Sequence, residues 1–121
     1  MLLDHVNLGC ADPDAMADFL ERLGCARRGD RPPSATHGHW LYDDSDRPVV
    51  HLARAEPGAP VGGPVDHVAF RTEDPDGLRR TLGEMGLDYT ERENPGAGVV
   101  QIKVAAPEGI VLEFQSPLAG A

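Results

Sequence analysis

Two cysteines in 121 residues are too few for a disulfide framework. Cys10 falls at the end of an expected strand and Cys25 just after an expected helix, so free thiols are the expectation. No apolar run approaches the roughly 20 residues that cross a bilayer. No charged-then-apolar signal segment stands at the N-terminus. Both absences point to a cytoplasmic protein with no membrane partner. A basic patch is missing too. The net charge is −9, with six basic and ten acidic side chains over residues 1–62 and five and ten over residues 63–121. That distribution disfavours nucleic acid as a partner, and solubility alone accounts for the acidity. The length allows one compact domain, or two halves of about 60 residues that share a core.

What is present is a repeat. Leu3-Asp4-His5-Val6-Asn7-Leu8 returns as Val65-Asp66-His67-Val68-Ala69-Phe70, an offset of 62 residues. The offset persists along the chain. Asp12-Pro13-Asp14 returns as Asp74-Pro75-Asp76, Leu20 as Leu82, Gly24 as Gly86 and Val49 as Val111, while His51 falls on Glu113.

Each half reads βαβββ. In the first, Leu2 to Leu8 alternates as a strand does. Asp12 caps a helix that has Pro13 at its first position, Met16, Phe19, Leu20 and Leu23 on one face, and Gly24 at its stop. Cys25 to Asp30, His39 to Tyr42 and Val49 to Ala53 read as strands. In the second half the order is strand 65–71, a helix from Pro75 to Met85 capped by Asp74, then strands 87–93, 99–104 and 110–115. Residues 1–54 and 65–116 are therefore the two expected modules. The Gly- and Pro-rich stretch 55–64 is the expected linker.

Period-two alternation sorts the strand residues by face. Ile110, Leu112 and Phe114 belong on the helix side, which turns Glu113 the other way. The same test turns His5, His51 and His67 away from Val6 and Leu8, Val50 and Leu52, and Val68 and Phe70. Three imidazoles and a carboxylate sharing the face opposite the helices are a metal-ligand set. They suit Fe, Mn, Ni, Co or Zn and not calcium. Asn7, Arg71, Gln101 and Lys103 fall on that face as well, and His37 and His39 border a loop at its mouth. We expect Asn7, His39, Arg71, Gln101 and Lys103 around the substrate, and Trp40 and Tyr42 in the core.

The paired modules, Asp-His-Val at the start of each and Leu112-Glu113-Phe114 near the end resemble the vicinal oxygen chelate superfamily. That group contains glyoxalase I, the fosfomycin and bleomycin resistance proteins, methylmalonyl-CoA epimerase and the extradiol dioxygenases. The resemblance covers essentially the whole chain. It implies an α+β fold in which the two tandem βαβββ modules form a cupped mixed sheet with helices on the outer face. It implies a metal held by His5, His67 and Glu113. The fourth position is glutamate in bacterial glyoxalase I and glutamine in the epimerase. Here it is His51, a departure from the glyoxalase pattern, where a second carboxylate accepts the proton.

The resulting expectation is a divalent-metal-dependent enzyme acting on a small molecule that chelates the ion through neighbouring oxygens. It leans towards dioxygenase chemistry, with Glu113 and His51 taking part in catalysis. His51 is either the fourth ligand or, in a His/His/Glu site, a free acid or base. A glyoxalase-like lyase or isomerase and a non-catalytic antibiotic- or metabolite-binding protein are the alternatives. A homodimer is expected, with the metal site either within one chain or shared, so that His5 and His51 of one chain meet His67 and Glu113 of the other.

Overall fold

The computed structural model describes residues 3–58 and 67–119. Their elements run β1 (Val6–Cys10), α1 (Pro13–Leu23), β2 (Arg27–Gly29), β3 (Gly38–Tyr42), β4 (Pro48–Arg54), β5 (His67–Arg71), α2 (Pro75–Glu84), β6 (Tyr89–Asn94), β7 (Val99–Ala105) and β8 (Val111–Pro117), with a single 3-10 turn at Pro107–Gly109. The chain divides into two compact units, Met1–Pro60 and Val61–Ala121. Most of the expected linker, and the first two residues of the strand expected from Val65, lie outside the described residues.

In the first unit the strand order is β1-β4-β3-β2. β1 runs parallel to β4, and the other two pairings are antiparallel. Helix α1 forms where its end signals stand. The Asp12 side chain accepts the Ala15 N–H, Pro13 opens the helix, and Gly24 closes it in the left-handed region with φ 78°. Its buried face, Met16, Leu20 and Leu23, meets Leu41, Val50 and Leu52 as the core of the unit, all buried to 7% exposure or less. Each such leucine contributes about 1.5–3 kcal/mol on leaving water.

The second unit repeats the order as β5-β8-β7-β6, again with one parallel pair, β5 with β8. Asp74 caps α2 through the Gly77 N–H. Leu78, Leu82, Ile102, Val104, Leu112 and Phe114 are buried. The two four-stranded mixed sheets and two helices are the expected α+β fold class. Cys10 and Cys25 are not joined in a disulfide. No helix among the described residues is long and apolar enough to cross a membrane.

Each helix is tied to the last strand in its sheet's order by ion pairs of opposite sense. In the first unit, Asp18 and Glu21 of α1 hold Arg28 of β2. In the second, Arg79 of α2 holds Glu91 of β6 and Asp76 of its own first turn.

Candidate functional site

The first unit brings His5 and His51 together. Asn7 pairs with His51 across the parallel β1–β4 ladder, and His5, two residues earlier, shares that face. The two imidazoles stack with centroids 3.8 Å apart and planes 13° from parallel. Trp40, opposite His51 on β3, closes the other side at 4.3 Å and 11°. Trp40 therefore belongs to the histidine face and not to the core. Alternation along one strand does not say which parity faces the helix, but the Trp40–His51 pairing does.

The hydrogen bonds assign the ring nitrogens. His51 Nε2 lies 3.1 Å from the Pro48 carbonyl, which can only accept, so Nε2 carries the proton and Nδ1 keeps its lone pair. Burial, and then the neighbouring His5, hold His51 below the ordinary imidazole range. His5 Nδ1 sits 2.7 Å from the Asp4 carboxylate, which leaves Nε2 as its electron-pair donor. That carboxylate–imidazole arrangement also orients metal-bound histidines. Asp4 accepts a second bond from Arg47 at 3.1 Å. The His5 hydrogen bond is the main cause of its lowered carboxyl pKa.

In the second unit His67 and Glu113 share a face of β5 and β8. His67 Nε2 and Glu113 Oε2 are 3.9 Å apart. That is too long for a hydrogen bond and close to the roughly 3.4 Å that separates two ligand atoms on a tetrahedral ion with bonds near 2.1 Å. Glu113 is 3% exposed, an unusual place for a carboxylate unless it is paired. Gln115 Nε2 donates to its Oε2 at 2.8 Å, and Lys103 Nζ stands 3.9 Å from Oε1. A buried carboxylate beside an imidazole fits a divalent cation in donor chemistry, while the Lys103 ammonium is a positive charge that such an ion would displace from Glu113. The stacked His5 and His51 rings fit less directly. Their lone pairs lie in parallel planes, so both can reach one ion only if a ring turns. His51, sandwiched and hydrogen-bonded, is the more constrained of the two.

Strand register puts Arg71 and Gln101 opposite Gln115, and Lys103 opposite Glu113. These residues thus stand on the Glu113 face, as Asn7 does on the His51 face. His39 does not join Trp40 and His51. It pairs with Leu52, a helix-side residue, and its Nε2 reaches Asp14 of α1 at 2.5 Å. Neighbours on β3 point to opposite faces and Trp40 takes the histidine face, so His39 stands on the helix side, apart from the other residues expected around the substrate. Gln115 was missed by sequence reasoning. Its position two residues after Glu113 on the same strand was the available signal.

These units define an α+β protein of two βαβββ halves, each with histidine on the sheet face turned from its helix. The Glyoxalase/Bleomycin resistance protein/Dioxygenase superfamily matches residues 4–119, and the chain belongs to that family, the vicinal oxygen chelate superfamily. No curated protein gives a significant match. Among solved structures the chain is similar to an integron cassette protein from the mobile metagenome of the Halifax Harbour sewage outfall, with TM-score 0.77, 20% identity, and 94% of this chain and 97% of that one covered. It is similar to a glyoxylase/bleomycin resistance protein/dioxygenase domain from Frankia sp. EAN1pec, with TM-score 0.75, 20% identity and coverage of 93% and 94%. It is also similar to a mutant of the fosfomycin resistance protein from Listeria monocytogenes complexed with Mn(II) and 1S,2S-dihydroxypropylphosphonic acid, with TM-score 0.72, 13% identity and coverage of 93% and 89%.

Proposed function

We propose that this protein is a divalent-metal-dependent enzyme acting on a small substrate that offers two neighbouring oxygens. The observation that carries the reading is Glu113, a buried carboxylate 3.9 Å from His67 Nε2. His67, Glu113 and His5 are the proposed ligands, through Nε2, a carboxylate oxygen and Nε2 respectively. Bound there, the ion would act as a Lewis acid on the chelated oxygens. The reading requires His5 to join the other two on one ion, from the same chain or from a second copy.

His51 is assigned the role of base. Its Nδ1 lone pair is left available by the Nε2–Pro48 bond, and its ring is held in place by Trp40. Accepting a proton from a substrate hydroxyl or an activated carbon is the step such a group performs. Arg71 and Lys103 supply positive charge for a substrate carboxylate or phosphonate, while Asn7 and Gln101 supply polar contacts. Oxygenation of the deprotonated substrate is the reaction we favour, as in the dioxygenases of the family. Proton transfer without oxygen is the second reading. A relative seen with Mn(II) and a vicinal diol phosphonate supports a substrate with two neighbouring oxygens under either reading.

Metal analysis of anaerobically purified protein tests the reading, followed by a catechol and α-ketoaldehyde panel with oxygen uptake recorded. His67→Ala and Glu113→Ala should each lose one equivalent of metal and all turnover. His51→Ala should keep the metal and lose turnover by about 10²–10⁴-fold. Unchanged metal content in both His67→Ala and Glu113→Ala would sink the proposal. Turnover without oxygen uptake would select proton transfer.

A further inference from the structure

On the helix side of the first sheet, away from the ring stack, stands a second group of ligands. His37 stands just before β3 and His39 within it, and both side chains turn to the same side, toward Asp14. Their Nε2 atoms approach one and the same oxygen, Oδ1 of Asp14, at 2.7 and 2.5 Å. The rings meet edge to face, with centroids 5.2 Å apart. One ligand atom from each of the three residues lies within 4.8 Å of the others. Two imidazoles converging on one carboxylate oxygen is a hydrogen-bonded cluster as it stands. Replacing the shared proton contacts with a cation needs the nitrogens and the oxygen to move apart to roughly 3.4 Å.

The three side chains are held from two elements. Asp14 sits in the first turn of α1, which is fixed by the Asp12 cap and by the buried Pro13. The His37 carbonyl accepts the Arg54 N–H at 2.9 Å, and His39 is in register with Leu52. Gly38 between them lies so close to β4 that a Cβ there would run into the Leu52 carbonyl. Ligands placed by rigid elements lose little freedom on binding. The side chains of His37 and Asp14 are 46% and 57% exposed, and that of His39 is 19% exposed. An ion entering from solvent would meet the site directly and keep at least one position for water.

We propose that Asp14, His37 and His39 form a binding site for a borderline divalent ion of the zinc class, separate from the His67–Glu113 centre. Two neutral imidazoles and one carboxylate suit zinc, nickel, cobalt or copper and discriminate against magnesium and calcium. The ion links the N-terminal turn of α1 to the start of β3, two segments otherwise 23 residues apart in sequence. Each histidine binds through Nε2 and moves its proton to Nδ1.

The probe is zinc itself, titrated calorimetrically into the metal-stripped full chain. His67→Ala/Glu113→Ala serves as background, so that the result does not depend on the proposed catalytic centre. That background should retain one zinc equivalent. Adding His39→Ala or Asp14→Asn should weaken it at least tenfold. Zinc should shift the ring resonances of His37 and His39 in long-range nitrogen–proton spectra, and should raise the thermal midpoint only while all three ligands are present. His37→Ala, at an exposed position, repeats the test if His39→Ala does not fold. A zinc equivalent that survives both Asp14→Asn and His37→Ala in folded protein overturns the proposal. So does zinc that leaves the His37 and His39 resonances unmoved, and affinity changes under tenfold mark an adventitious surface ion and overturn it equally. Loss of metal from the His67–Glu113 pair in wild type, with the outer equivalent intact, would count against the enzyme reading alone.

Discussion

The five histidines of this chain share one side chain and differ in what their nitrogens touch. His51 donates a hydrogen bond to a carbonyl, His5 leans on a carboxylate, and His37 and His39 converge on Asp14. The Asp14 carboxyl is lowered to about 2, first by the His39 hydrogen bond and then by that of His37. The thiols follow the same logic of surroundings. Burial pushes Cys25 up to about 12, and its Sγ faces the Leu20 carbonyl at 3.4 Å. Only the thiolate reacts, and near pH 8 such a group is ionised in roughly one molecule in ten thousand. Cys10 is fully buried. In folded protein at about pH 8, dithionitrobenzoate should therefore label neither thiol on the minutes scale, and should label two after unfolding in guanidinium. Rapid native labelling of one thiol would show that the α1–β2 corner opens.

At the scale of elements, the two units reach the same strand order by different surface chemistry. The first puts carboxylates on the helix and arginine on the strand, and the second reverses them. Such exposed pairs contribute little, about 0–1 kcal/mol each. They do not hold the fold, and the core does. A tighter constraint is Gly38, where β3 lies against the Leu52 carbonyl. Gly38→Ala should cost about 1–3 kcal/mol as overpacking, read as a fall in the urea midpoint with unchanged slope. A stability equal to wild type would mean that β3 can retreat from β4.

This is also where the sequence proved readable and where it did not. Caps at Asp12 and Asp74, prolines at the first helical positions and glycines at the stops announce both helices, because those signals act within a turn of the chain. Strand parity placed His51, His67 and Glu113, since the buried partners Leu52 and Phe114 are neighbours in sequence. Trp40 and His39 were harder. Their face depends on which residue of β4 lies opposite, and register is not written in β3 alone. Asp14, His37 and His39 meet only because α1 packs across β3, a contact that no local pattern encodes.

For the whole molecule, charge and edges matter most. The sheet orders leave β1 and β2 at the edges of one sheet and β5 and β6 at the edges of the other. Edges of that kind invite pairing. We therefore expect a homodimer, with light scattering at micromolar concentration giving twice the 12.9 kDa of one chain. A monomeric mass under those conditions would refute it. The net charge of −9 should also make cation uptake sensitive to salt.

Lys103, 3.9 Å from Glu113, is the only lysine in the sequence. Reductive methylation with carbon-13 formaldehyde would thus place a single side-chain reporter beside the buried carboxylate, without any engineered residue. Its methyl resonance should move as Glu113 exchanges its ammonium neighbour for a metal ion, and should broaden when that ion is manganese. A molecule with a single lysine carries its one side-chain amine beside the carboxylate whose partner is in question.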